Sequence, residues 1–153
     1  MENVYQNTWG SLVVWVKSLQ AEYNARNPHY PLEFIDWEAH ANIPELPNTD
    51  LIGPLTLAIR EYDDGLYNVT FAIGVSTYGT DAPMSRLRFA LNGIFNRLQS
   101  GHKIVYYDYD HASEKSVIQI RPGTLIAPMD DLTVRPFQYV QATGLLTPVG
   151  QDG

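Results

Sequence analysis

The sequence predicts an α+β domain, a mainly antiparallel sheet with two main helices packed on it, in the order α-β-β-β-α-β-β-β. Three observations carry this prediction. From Tyr67 to Thr77 the odd positions are Tyr67, Val69, Phe71, Ile73, Val75 and Thr77, and the even ones are Asn68, Thr70, Ala72, Gly74 and Ser76. Alternation of large apolar with small or polar residues is the pattern of a half-buried strand. The period then changes: Met84, Leu87, Leu91, Ile94, Phe95 and Leu98 recur at helical spacing and share one face. Finally, most strand-like runs come in pairs joined by short turns, so the helices gather to one side of the sheet.

Taken in order, Asn7 or Thr8 can cap a helix that runs to about Arg26, with the stripe Trp9, Leu12, Val13, Val16, Leu19 and Tyr23. Val14 and Trp15 fall partly outside this stripe; such an aromatic either meets a partner or packs under a loop. The helix ends before Asn27-Pro28, as a proline demands of the residue ahead of it. Residues 32–41 (LEFIDWEAHA) read as a strand whose second face turns polar along its length. Residues 42–54 hold three prolines and a glycine, which exclude a central strand. This stretch also carries Ile43, Leu46, Leu51 and Ile52, so it either folds back as a small lid or is ordered by a partner.

Residues 55–62 alternate as a strand, and Asp63-Asp64-Gly65 is a hairpin turn leading into strand 66–78. The helix 82–100 follows, with Thr80 or Asp81 as its cap, Pro83 in its first turn and Gly101 beyond its end. Strands 103–109 and 115–121 flank a polar turn, a short extended piece spans 124–129, and 134–146 is the last strand. Pro136 places the start of that strand at an edge or entry point. The whole chain, 1–153, reads as one domain, with 1–7 and 147–153 as loose ends.

The 153 residues include no cysteine, which removes disulfides, thiolate metal sites and cysteine nucleophiles. A chain of this length buries roughly 68–70% of its unfolded surface and needs no covalent staple. The start MENVYQNTWG has neither a basic region nor an apolar run, so the expectation is synthesis in the cytoplasm without a signal peptide. No apolar run reaches the roughly 20 residues that span a bilayer. Ten basic against 17 acidic residues give a formal charge of −7, with no basic cluster to grip DNA.

Candidate chemistry is sparse. Asp36, Glu38 and His40 share one face of the strand read over 32–41, a carboxylate–imidazole spacing that can hold a divalent metal; a solvated strand face is the plainer reading. Asp108, Asp110, His111 and Glu114 form a second acidic group, but the glycine-containing calcium loop is absent and a polar hairpin turn accounts for them. The histidines His29, His40, His102 and His111 are dispersed. No H-E-x-x-H, G-x-S-x-G or phosphate-cradling G-x-x-x-x-G-K-[ST] occurs. The expectation is a protein without catalytic residues, metal or cofactor.

The layout over residues 8–146 resembles the tail-terminator, or tail-completion, proteins of long-tailed bacteriophages. The likeness lies in the N-terminal amphipathic helix, the Pro-rich loop, the hairpin 55–78, the helix 82–100 directly after it, and the closing antiparallel strands. It implies a structural virion protein, made in the host cytoplasm, that forms a hexameric ring on the head-proximal end of the tail tube. Such a ring stops tube polymerisation and offers a docking surface to the head. The implied partners are further copies of the chain, the tail tube protein, a head-connector or neck protein and the tail sheath, with DNA only as passing cargo and no membrane. Local chemistry then assigns Leu46, Leu51, Ile52, Leu125, Ile126 and Met129 to the ring or partner interface. It assigns Asp63, Asp64, Asp130 and Asp131 to the lumen, where like charge keeps DNA from sticking. The alternatives are another neck, head-closure or sheath-contact protein, a metal-dependent enzyme using Asp36, Glu38 and His40, and a monomeric small-ligand module.

Overall fold

The computed structural model describes residues 3–38, 46–109, 113–128 and 135–148, with the side chains of 113–115 outside that description. Among these residues the chain forms helix α1 (Val4–Arg26), strands β1 (Leu32–Phe34), β2 (Asp50–Asp63) and β3 (Leu66–Ser76), helix α2 (Pro83–Arg97), and strands β4 (Lys103–Asp108), β5 (Ser113–Ile120), β6 (Leu125–Ile126) and β7 (Phe137–Leu146). The sheet order is β1-β2-β3-β7-β5-β4, and β6 also pairs with β7. The β1–β2 pair is parallel and every other recorded pairing is antiparallel, so the predicted α+β architecture stands.

The alternation in β3 decides which face meets the helices, but the strand is not half-buried throughout: from Phe71 to Ser76 both of its faces are buried. Val69, Phe71, Ile73 and Val75 pack with Leu12, Val16 and Leu19 of α1 and with Leu87, Leu91 and Ile94 of α2 in one core. Ile104 and Tyr106 of β4, Ile118 and Ile120 of β5, and Val140 and Ala142 of β7 complete it. Each such side chain, fully buried, contributes about 1.5–3 kcal/mol relative to exposure. The hairpin β2–β3 forms as expected, with Gly65 at φ +74° in its turn.

The first helix starts a turn earlier than expected. Asn3 caps it, its Oδ1 accepting from Gln6 N–H at 3.1 Å, so residues 4–7 are helical and Asn7 lies inside rather than at the cap. The face that α1 buries near its start is polar: Asn7, Thr8 and Ser11. The second helix also departs from its expected cap. Ala82 is the N-cap with φ +46° and no side-chain bond, while Pro83 occupies the first turn as predicted.

The expected strand 32–41 is short, ending at Phe34. Its continuation crosses the outer face of β2. Gly53 and Gly74 are cross-strand partners, and a Cβ on Gly53 would lie 1.9 Å from the carbonyl oxygen of Ile35. Trp37 Nε1 donates to the carbonyl of Gly53 at 3.1 Å, and its ring meets Phe137 edge-on at 5.1 Å. A strand glycine here marks a close backbone approach.

Strand β2 starts at Asp50, inside the expected Pro-rich loop. Pro54 is tolerated because β1 pairs with β2 only as far as Ile52, and the β2–β3 register shifts between Pro54 and Thr56.

Candidate functional site

The long hairpin β2–β3 joins two contrasting surfaces. At its start, Asp50 is buried and Arg86 of α2 meets it through two bonds, Nε to Oδ2 at 3.1 Å and Nη2 to Oδ1 at 3.2 Å. The same carboxylate accepts from Tyr78 N–H at 2.9 Å. Arg86 also donates to the Asp81 and Tyr78 carbonyls and lies over the Tyr30 ring, 4.2 Å from its centroid. Tyr30 in turn donates to the Asp81 carboxylate. The bond to Asp50 raises the Arg86 pKa above its ordinary value, against the opposing effect of burial. Tyr30 is raised by its bond to Asp81, and Tyr23 by burial and then by the Asp50 charge.

A second arginine works beside it. Arg135 is buried; it donates from Nε to Ser76 Oγ at 2.7 Å and from Nη1 to the Pro47 carbonyl at 2.7 Å. Burial lowers its pKa from the ordinary value. Among the described residues every buried side-chain nitrogen and oxygen has a hydrogen-bond partner. Both arginines are therefore fully occupied in tying loops to the sheet.

Between α1 and α2, next to this network, lies a groove of about 250 Å³. Leu19, Tyr23, Ile52, Phe89 and Ile94 line it, and Arg26 and the exposed Glu22–Arg97 pair stand at its rim. Phe89 is 59% exposed there and tilts against Tyr23 at 5.9 Å. At the other end of β2 is the hairpin tip. Glu61, Asp63 and Asp64 are all exposed, and Tyr62 between them is 64% exposed.

The residues assigned to an interface from sequence do not form one surface. Leu51 and Ile52 are in β2 and almost wholly buried, so they are corrected from exposed contact residues to core. They were misplaced because the prolines around them read as loop, whereas β1 and β3 flank them on both sides. Leu46 is half-buried, and Leu125 and Ile126 are exposed on β6. Met129, Asp130 and Asp131 lie outside the described residues. Asp63 and Asp64 are exposed at the hairpin turn, where Asp63 Oδ1 accepts from Asp64 N–H at 2.8 Å.

The shared strand face proposed for Asp36, Glu38 and His40 is also corrected. Asp36 and Glu38 lie beyond β1, where Asp36 Oδ1 accepts from Glu38 N–H at 3.1 Å, and His40 is outside the described residues. Asp108 is buried at the end of β4, while Asp110, His111 and the Glu114 side chain are outside the described residues. Among the described residues no group of three or more acidic or histidine side chains is placed to hold a metal, and no helix is long and apolar enough to cross a membrane. Sequence reasoning missed Arg86, Arg135 and the groove. The available signal was an α2 bearing three arginines and no acidic residue in a chain of net charge −7.

Comparison with known proteins finds no matching family model and no matching curated protein.

Proposed function

We propose that this chain is a structural assembly protein that forms a ring, and that the ring caps the head-proximal end of a phage tail tube, stops its growth and offers the head a docking surface. The order of elements, α1 and the hairpin β2–β3 followed by α2 and the closing strands, supports this reading through its likeness to tail-terminator proteins. The observation that carries it is the asymmetry of the hairpin, with an apolar groove at one end and an acidic, aromatic tip at the other. A closed ring built from head-to-tail contacts needs two different complementary surfaces on each subunit. The remaining partners in this reading are the tube protein, a neck or head-connector protein and, in a contractile tail, the sheath.

The test is electron microscopy of lysates from a phage in which this reading frame is interrupted. Overlong or ragged tubes with unattached heads are the expected result. Tubes of normal length without heads point to a head-closure or neck protein. Normal infectious particles overturn the assembly reading.

A further inference from the structure

Resting on the ring reading, we propose that the β2–β3 hairpin tip of one subunit inserts Tyr62 into the α1–α2 groove of the next copy, with its acidic residues facing Arg26. Groove and tip cannot meet within one chain. Ile52 lines the groove and Tyr62 stands ten residues further along the same strand, which at roughly 3.3 Å per residue separates them by about 30 Å. Any contact between them joins two molecules head to tail.

Size, charge and a glycine select this occupant. The groove, at about 250 Å³, lies below the roughly 300–1,000 Å³ of small-molecule pockets, so it suits a single side chain. Tyr62 is the most exposed large apolar residue on the molecule as described, and aromatic anchors dominate buried contacts. Of the arginines of α2, Arg86 is paired with Asp50 and Arg97 with Glu22, which leaves Arg88 and, on the groove rim, Arg26 without an ionic partner among the described residues. The tip carries Glu61, Asp63 and Asp64 within four positions. Gly93 lines the groove in mid-helix, yet a Cβ there would meet nothing within 4 Å in its own chain. Glycine at such a position destabilises the helix by about 1 kcal/mol relative to alanine. Nothing among the described residues requires a glycine here, whereas an aromatic ring inserted from the next copy would gain the space a Cβ would take. The contact places Asp63 and Asp64 between subunits rather than in the lumen.

Because the chain has no cysteine, the contact can be tested by cross-linking. The full chain carrying Arg60→Cys, beside the tip, and Asn96→Cys, on the groove lining, both exposed positions that leave Tyr62 and Gly93 in place, is treated with a short bis-maleimide, alongside each single variant. A ladder of covalent oligomers from the double variant alone is expected. In the otherwise native chain, Arg26→Glu should weaken self-association by about tenfold or more, and Asp63→Lys with Asp64→Lys should restore it. Oligomers by mass that neither cross-link nor respond to charge reversal overturn this contact and leave the ring reading standing. A monomeric mass at every concentration, with no cross-link, also overturns the contact; the tube-end microscopy then decides the ring reading separately.

Discussion

Ser11 Oγ, on the buried face of α1, accepts from the outward-pointing N–H of Tyr107 at 2.9 Å. One turn earlier Asn7 Oδ1 accepts from Tyr109 N–H at 3.2 Å. These two α1 side chains occupy the outer edge of β4, where another strand would otherwise pair. The far end of the same helix does likewise at the opposite edge of the sheet. Asn24 accepts from Leu32 N–H at 2.7 Å and donates to Leu32 C=O at 2.9 Å, with Gln20 sharing that carbonyl. A single helix thus blocks both terminal strands, β4 and β1, against adventitious pairing. The outer side of β2 beyond Ile52 has no strand partner among the described residues.

Removing one of these helix-to-edge bonds should therefore cost more than a surface polar change. Ser11→Ala leaves the Tyr107 N–H without its acceptor, at about 1–3 kcal/mol. The expected readout is a lower urea midpoint with an unchanged m-value, and a greater tendency to associate through β4 as destabilisation proceeds. Ser18→Ala, on the exposed side of the same helix, is the control and should stay within about 0.5 kcal/mol.

Trp15 and His102 give the fold a pH dependence. Trp15 Nε1 donates to His102 Nε2 at 3.3 Å, which requires that nitrogen to be unprotonated. Burial lowers the His102 pKa below its ordinary 6.5, and Arg97 adds repulsion. The unfolded chain thus takes up this proton more readily than the folded one. The stabilising contribution is complete above about pH 6.5. It is lost progressively as pH falls from there through the lowered folded value. Urea midpoints between pH 7.5 and 5 should fall less for His102→Gln, whose side-chain oxygen still accepts from Trp15, than for the native chain. Identical slopes would remove His102 as the cause.

The two ion pairs separate a buried from an exposed case. Asp50 and Arg86 are 4% and 11% exposed, while Glu22 and Arg97 are 48% and 44% exposed. Asp50→Ala strands the guanidinium and frees the Tyr78 N–H, and should cost about 3–5 kcal/mol. Glu22→Ala should cost at most about 1 kcal/mol. Thermal unfolding of both variants under one buffer condition checks the ordering.

These pairs also show what was legible beforehand. The period-two run of β3 and the helical stripe of α2 are local patterns, and both elements formed where the patterns placed them, with α2 ending a few residues early. The buried polar face of α1 was not legible: Asn7 reads as a helix cap, and nothing local marks Ser11 as buried, unless the β4 edge, about a hundred residues away, is known to lie against them. Asp50 and Arg86 are likewise distant in sequence, and proline-rich flanks disguised the start of β2. Trp15, off the apolar stripe, packs against His102 in the α2–β4 connection, as one of its two expected roles required. The hairpin tip was visible as a turn, but its opposite number, the groove, exists only once α1 and α2 are side by side.

Two glycine-to-alanine substitutions should move stability in opposite directions, for reasons that lie in the fold. At Gly53 the new Cβ would stand 1.9 Å from the Ile35 carbonyl oxygen and 3.0 Å from its carbon, both backbone atoms that no rotamer change can clear. The β1–Trp37 segment must then lift off the outer face of β2, breaking the Trp37–Gly53 bond and the Trp37–Phe137 contact. The loss should reach the 1–3 kcal/mol of overpacking or exceed it, because backbone rather than a side chain has to yield. At Gly93 the Cβ meets nothing within 4 Å, and helix propensity favours alanine by about 1 kcal/mol. Gly93→Ala should therefore raise the melting temperature of the isolated subunit. Should it lower the melting temperature instead, the groove beside α2 would be tighter within one chain than its geometry indicates, and Gly93 would be a packing residue of the monomer.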